Sequence, residues 1–246
     1  MSDLTIVVGD THIGPGQNLR RADWLGRYIK DIKPNRVVYI GDHNTFDSLS
    51  AWDKDKRKKM EGRRFQKDLD TLKKFTNKVN AAAGRYEYES ILTEGNHEYR
   101  VDRYIDYHPE LDGQLEYVVR GGLEGFKIIP YMSFYKHKGI SFTHVPIMEN
   151  GRPVSGKYAT ARSLDICAGS VVFGHTHKLD YRAVHKHGQA HLQEALNVGC
   201  YFEHVDEYAL GSMTSYWRGL VTLEHYQHGR FKFDCTPMGM LKKEYA

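Results

Sequence analysis

Five short motifs, each closing an apolar run, constrain this chain more than anything else in it: Asp10-Thr11-His12, Gly41-Asp42, Gly95-Asn96-His97-Glu98, His144 and Gly174-His175-Thr176-His177. Taken singly, each is ordinary. Asp and Asn favour turns, a Gly-Asp pair after a strand is common turn chemistry, and a strand-end histidine is usually structural. Taken in order they demand a common centre. In open α/β sheets ligands gather at the carboxyl ends of strands, and Asp10, Asp42 and Asn96 all fall at such ends. Two aspartates, an asparagine amide and the histidines His12, His144, His175 and His177 suffice to hold two divalent cations roughly 3.5–4 Å apart. Gly174-His175-Thr176-His177 is the strongest single signal, because its two imidazoles can serve two ions or two positions on one ion. His137 is a rival to His144. The loop that follows His144, opening at Pro146, favours the latter.

The runs themselves predict an α/β fold. Leu4–Val8 and Val37–Ile40 read as buried strands. Between them, Leu25, Tyr28, Ile29 and Ile32 are spaced as one helical face. A second helical segment carries Phe65, Leu69, Leu72 and Val79, and Ser90–Leu92 reads as a third strand. That alternation predicts parallel pairing through right-handed crossovers. The second half is strand-rich: Ile128–Pro130, Met132–His137, Ile140–His144 and Val171–Phe173, with a helix predicted near residues 158–167. Two hairpins follow, turning at His187-Gly188 and His228-Gly229. No linker or repeat divides the chain, so residues 1–246 are expected to form one domain with two sheets, the second mostly antiparallel.

At 40% hydrophobic and 12% aromatic, the chain can bury a full core, which excludes global disorder. Cys167, Cys200 and Cys235 are odd in number, far apart and never in a CxxC, so the expectation is no disulfide framework and a reduced, cytoplasmic setting. The N-terminal residues carry no basic run and lead straight into a strand, and no apolar stretch approaches 18 residues, so neither a signal peptide nor a membrane span is expected. A closed structural zinc site is also excluded as the reading, since such sites favour Cys over Asn and a bridging Asp.

The ordered set D-x-H, G-D, G-N-H-[ED], H and G-H-x-H resembles the calcineurin-like metallophosphoesterase superfamily, and Asn197-Val198-Gly199 is similar to that family's Asn-x-Gly loop. The resemblance implies a two-sheet β-sandwich flanked by helices, of αββα type. It also implies that Asp10, His12 and His177 hold one metal, that Asn96, His144 and His175 hold the other, and that Asp42 bridges them. His97 would face the leaving group as the catalytic residue. With no thiolate in the set, Mn²⁺ is favoured, with Fe, Zn, Ni or Mg also acceptable. The chemistry expected is hydrolysis of a phosphate ester by hydroxide bridging the cations. Two positions depart from the family pattern: Gly41-Asp42 continues as His43-Asn44, with the next acid at Asp47, and Val145-Pro146 follows His144 where many members have Gly. Both are expected near the approach of substrate.

The one clue to substrate is residues 54–67, which carry eight basic and two acidic side chains and read either as a solvated helix face or as a phosphate-binding stretch. Such a stretch suits a polyphosphate backbone, and Trp52 and Phe46 nearby are candidates to stack on bases. Arg100 and Arg103 are further candidates for phosphate contacts. DNA, RNA or nucleotides are therefore the expected partners of a phosphodiesterase. The alternatives are a phosphatase for small phosphorylated molecules and an inactive scaffold, although a scaffold should have lost ligands that are all present here.

Overall fold

The buried strand predicted at the N-terminus, β1 (Leu4–Val8), occupies the middle of a six-stranded sheet. The structure, a computed structural model, describes residues 3–204 and 215–246. Helix α1 (Arg20–Ile32) follows, opened by the Asn18 carboxamide accepting from the Arg20 N–H at 3.0 Å and closed at Lys33, whose φ of 52° stops the helix before Pro34. Then come β2 (Arg36–Tyr39), the short helix α2 (Arg57–Met60), α3 (Phe65–Ala83) and β3 (Glu89–Thr93). The short helices α4 (Arg100–Ile105) and α5 (Leu115–Gly121) lead to β4 (Phe126–Ile129). Strands β1, β2, β3 and β4 are parallel neighbours.

A five-stranded sheet comes next. It is built from β5 (Tyr135–His137), β6 (Ile140–Phe142), β7 (Ser170–Phe173), β8 (Leu179–Val184) and β9 (Gln193–Val198), in the order β5-β6-β7-β9-β8. Helix α6 (Ala159–Ile166) joins β6 to β7. The final hairpin, β10 (Gly219–His225) with β11 (Phe231–Pro237), returns to the first sheet, where β10 pairs antiparallel with β1, and α7 (Met238–Tyr245) ends the chain.

The result is the predicted α/β class, two sheets flanked by helices. Val7, Val38, Ile40 and Ile91 of one sheet meet Phe142, Val172, Leu196 and Val198 of the other in a buried layer. Helices α1, α3 and α7 cover the outer face of the first sheet, and α6 covers that of the second. Two details differ from the sequence reading. The second sheet is not mostly antiparallel: β6, β7 and β9 run parallel, with antiparallel strands only at its edges. In addition, β4 and the last hairpin belong to the first sheet. Apolar patterning marks a strand as buried without saying which sheet buries it, so these assignments depend on pairings distant in sequence. No disulfide joins the three cysteines. Among the described residues no helix is long and apolar enough to cross a membrane.

One edge of the sandwich is tied by charge. The Asp3 carboxylate accepts from Arg36 at 2.5 Å, from Lys138 at 2.8 Å and pairs with His137 at 2.8 Å, joining β1, β2 and the β5–β6 turn. His137 therefore sits away from the metal-binding motifs and is not their ligand. Two cations on one carboxylate also leave little there for a metal ion, although Asp3, His137 and His225 lie close together. His225 packs edge-on against His137 and meets the Thr5 hydroxyl at 2.6 Å. Burial pushes its pKa down to about 4, with the Asp3 charge opposing and His137 adding to the effect.

A histidine depressed in the fold binds its proton more weakly than in the unfolded chain. Stability from His225 is thus complete above about pH 6.5 and is lost as pH falls towards about 4. In urea titrations, wild type should lose about 2 kcal/mol more than His225→Gln between pH 7 and pH 4.5, a figure that already allows for partial solvent screening. Parallel pH profiles for the two proteins would refute this assignment.

Candidate metal centre

The strand order places five strand ends side by side. Asp10 and His12 leave β1, Asp42 leaves β2, Asn96 and His97 follow β3, His144 follows β6, and His175 and His177 follow β7. The structure brings all of these together. Nε2 of His177 lies 2.9 Å from Oδ2 of Asp10 and 3.3 Å from Nε2 of His12. Nε2 of His144 lies 3.1 Å from Oδ1 of Asn96 and 3.1 Å from Nδ1 of His175. Between the two groups stands the Asp42 carboxylate, its Oδ2 3.4 Å from His144, 3.9 Å from His12 and 4.0 Å from His97. Donor atoms of Asp10, His12 and His177 fall within 4.8 Å of one another, as do those of Asp42, His144 and His175.

The backbone is bent to make this convergence. His12, Asp42, His175 and His177 all adopt positive φ, from 43° to 67°, a conformation that costs L-residues energy and concentrates at functional sites. Two glycines make room. Gly41 has a φ of 69°, and a Cβ there would strike the His144 ring; at Gly95 a Cβ would collide with the Asp42 carboxylate. Backbone N–H groups then position the carboxylates: His97 N–H donates to Asp42 Oδ1 at 2.8 Å, and His175 N–H donates to Asp10 Oδ1 at 3.0 Å.

The electrostatics suit cations. Burial opposes ionisation of Asp42, but His144, His97, His12 and His175 outweigh it and hold the carboxyl well below its ordinary range. Burial pushes His12 far down, aided by His97, and lowers His175 to about 4, aided by His144. These rings are neutral at pH 7 and offer lone pairs. His144 is buried too, yet Asp42 and Asp10 overcome the effect and raise its pKa, so the local field favours positive charge at that point.

Two observations test whether the residues fit metal ions. Oδ2 of Asp10 is fully buried with no hydrogen bond, even though His177 approaches to 2.9 Å. The pair is near enough to interact but wrongly angled for a hydrogen bond, as expected of two ligands facing a shared ion. On the other side, His144 directs Nδ1 to the Ile40 carbonyl at 2.9 Å, which turns its Nε2 towards an amide oxygen and a second imidazole nitrogen. Clustered acceptors of this kind are costly to bury unless a cation lies among them. The residues fit.

His97 lies beside the cluster with its Nδ1 2.9 Å from the Thr45 carbonyl. Arg100 donates to the same carbonyl at 2.7 Å and to Asp47 at 2.9 Å, which brings its guanidinium 3.5 Å from His97 Nε2. The sequence reading did not single out Thr45, and a backbone carbonyl leaves no side-chain signal to find it by. It also passed over Glu98, whose carboxylate accepts from the Asn44 and Gly95 N–H groups at 2.9 and 2.8 Å and so clamps two ligand loops together. A Glu beside Asn-His was visible in the chain, but its aim was not. Phe202 and Tyr216 pack edge-on against His177, and Phe202 also against His12, restricting both ligand rings.

Three expectations about the approach to the centre are corrected. Phe46 is fully buried, held in the α3 core beside Phe65, and cannot stack on a base. His43 and Asn44 do not meet substrate. His43 packs among Tyr39, Phe75 and Phe126 with Nδ1 3.1 Å from the Thr11 hydroxyl, and Asn44 binds the Asp68 carbonyl. Val145 is buried as well. A residue after a strand-end donor alternates back into the core, which places these positions away from the cleft. Arg100, by contrast, lines the cleft together with His12, Asn96 and His97.

No family model matches the chain. The Gene 54 protein of Mycobacterium phage L5 is 31% identical over 189 residues, covering 72% of this chain and 70% of that protein. The Gene 54 protein of Mycobacterium phage D29 is 28% identical over 188 residues, with the same coverage, 72% and 70%. Among solved structures, wild-type Vps29 from Entamoeba histolytica, complexed with Zn²⁺, aligns with 95% of this chain and 98% of its own at 15% identity and a TM-score of 0.41. Vps29 from Chaetomium thermophilum aligns with 95% of this chain and 96% of its own at 10% identity and a TM-score of 0.40. With nearly a third of residues identical to the phage L5 protein across more than two thirds of each sequence, this chain belongs to the family of the mycobacteriophage Gene 54 proteins.

Proposed function

We propose that the protein is a dinuclear-metal phosphoesterase of the calcineurin-like metallophosphoesterase type, acting on phosphodiesters of nucleic acid or nucleotides. The observation that carries this reading is the seven-donor cluster centred on Asp42 with the His97 imidazole at its edge. Asp10, His12 and His177 would hold one cation and Asn96, His144 and His175 the other, with Asp42 between them. Cations so placed supply Lewis acidity towards phosphoryl oxygens and make water acidic near neutral pH.

The chain's own groups do the rest. The Thr45 carbonyl accepts from His97 Nδ1 and aims Nε2 into the cleft, where the imidazolium form gives its Nε2 proton to the departing oxygen and is left as the neutral Nδ1–H ring. Burial lowers the His97 pKa; Asp42 opposes this, and Arg100 reinforces it, so the imidazolium releases its proton readily. Arg100, anchored on Thr45 and Asp47, presents its remaining N–H groups to a phosphate oxygen beside His97. The basic residues Lys56, Arg57, Lys58 and Lys59 line the same cleft, which supports a polyanionic diester over a small monoester.

With Mn²⁺ present, the protein should hydrolyse bis-p-nitrophenyl phosphate in preference to p-nitrophenyl phosphate; monoester preference would replace this reading with a phosphatase. His97→Ala should retain its full metal content by elemental analysis while turnover falls about 10²- to 10⁴-fold, and loss of metal would remove His97 from the proton-donor role. Asp42→Ala should bind fewer than two Mn²⁺ per chain and lose the stabilisation that Mn²⁺ gives the wild type, roughly 2.7 kcal/mol at a hundredfold excess over Kd. Undiminished binding in that variant would dismiss Asp42 as the shared ligand.

A further inference from the structure

Two cavities meet at the candidate centre. One, of about 1240 Å³, runs from His12, Asn96 and His97 along Lys56, Arg57, Lys58 and Lys59. The other, of about 800 Å³, is lined by Trp52, Tyr104, Tyr107 and His108, with Lys54 and Arg103 at its rim. Trp52, Asn96 and Arg100 line both cavities. The first alone exceeds the roughly 300–1,000 Å³ of a usual small-ligand site, so a mononucleotide would leave much of the cleft empty.

The walls differ in chemistry. Asp53 neutralises part of the basic wall through Lys56 at 2.9 Å, Arg63 at 3.0 Å and Lys59 at 3.9 Å. Among the described residues, Arg57 and Lys58 have no acid within ion-pair distance, and both are exposed. Their charge is available to phosphates. The second wall is aromatic and open: Trp52 is 83% and Tyr107 79% exposed, and the Tyr104 ring stacks on His108 with centroids 4.3 Å apart. Large aromatic faces left in water beside a cationic groove are the two components of a single-strand platform, the groove for the backbone and the rings for the bases.

We infer that the joined clefts bind single-stranded nucleic acid, with phosphates along Arg57 and Lys58 and bases stacked on Trp52 and Tyr107. The strand then crosses Asn96 and Arg100, where a phosphodiester reaches the candidate centre. A duplex cannot use this arrangement, because its bases already stack on one another and present only their edges. The inference deepens the phosphodiesterase reading and rests on it for the fate of the bound strand, whereas binding itself is independent of catalysis.

The test is fluorescence anisotropy of 5′-fluorescein dT16 and of a 16-base-pair duplex on the His97→Ala protein with Mn²⁺, alongside hydrolysis of bis-p-nitrophenyl phosphate by the wild type. The single strand should bind at least about tenfold more tightly than the duplex, and Trp52→Ala and Tyr107→Ala should each weaken it about tenfold. Both rings are exposed, so the melting temperatures of these variants should match the parent. The Arg57→Gln/Lys58→Gln double variant should flatten the logarithmic salt dependence by about 1.4, two phosphate contacts at about 0.7 each. Equal or tighter duplex binding, or affinity indifferent to both aromatic substitutions, overturns the inference. If the wild type hydrolyses the small diester while dT16 fails to bind, this inference falls and the hydrolase reading stands. If dT16 binds through Trp52 while the small diester is untouched, the reverse holds.

Discussion

A carboxylate buried among imidazoles is the constraint on which the rest of this molecule depends. Asp42 is 3% exposed and lies within 4.0 Å of His12, His97 and His144. A buried charge must be paired or it destabilises the fold, and among the described residues no lysine or arginine lies within ion-pair distance of it. The pairing comes from rings whose own burial drives them towards neutrality, so the centre is short of positive charge at neutral pH. The left-handed backbone at His12, Asp42, His175 and His177 adds conformational cost at the same place. Such a concentration of cost is maintained when something binds there and relieves it.

The sheets are arranged to serve that point. A donor leaving the C-terminal end of a strand can meet another only if the strands run the same way, and the ligands come from β1, β2, β3, β6 and β7. In the first sheet β1 to β4 run parallel out to one edge, with the β10–β11 hairpin at the other; in the second, β6, β7 and β9 run parallel between antiparallel edge strands. The β9 end closes the ring: Gly199 is followed by Cys200, which bridges to Asp10, and Tyr201 N–H donates to the Asp10 carbonyl at 2.8 Å. The apolar layer between the sheets holds the two groups of ligands in register.

Most of the site was legible in the sequence because its donors are of uncommon type and stand at predictable places, immediately after apolar runs. Asp10, His12, Asp42, Asn96, His97, His144, His175 and His177 converge although residues as distant as 10 and 177 are involved. The fold class was legible for the same reason, since alternating buried strands and amphipathic helices leave few arrangements. What could not be read is what depends on tertiary aim. Phe46 looked like a stacking platform, but it follows a strand end by a distance that turns its ring into the α3 core. Thr45 and Glu98 act through a carbonyl and through backbone amides. The return of β10 to β1 requires pairing across more than 200 residues, and no local pattern encodes it.

Charge arithmetic links the buried centre to the open cleft. Its formally anionic donors are Asp10 and Asp42, and the remaining five, Asn96 and four imidazoles, would be uncharged as metal ligands. A further buried acid, Glu98, has its pKa raised to about 7 by burial first and by Asp42 second, and its oxygens are already committed to backbone N–H groups. With two divalent cations present, the ligand set would leave about two positive charges uncompensated in a low-dielectric site. Using Asn96 where a third carboxylate would fit preserves that surplus. A phosphodiester, carrying its single charge on two oxygens that can be shared, would offset about half of it. The same deficit of acid continues outward, where Asp53 faces Lys56, Lys59 and Arg63 while Arg57 and Lys58 remain unmatched. With the cations bound, the gradient would therefore run from an exposed basic wall to a buried site short of negative charge, which is the direction a polyanion would have to be drawn.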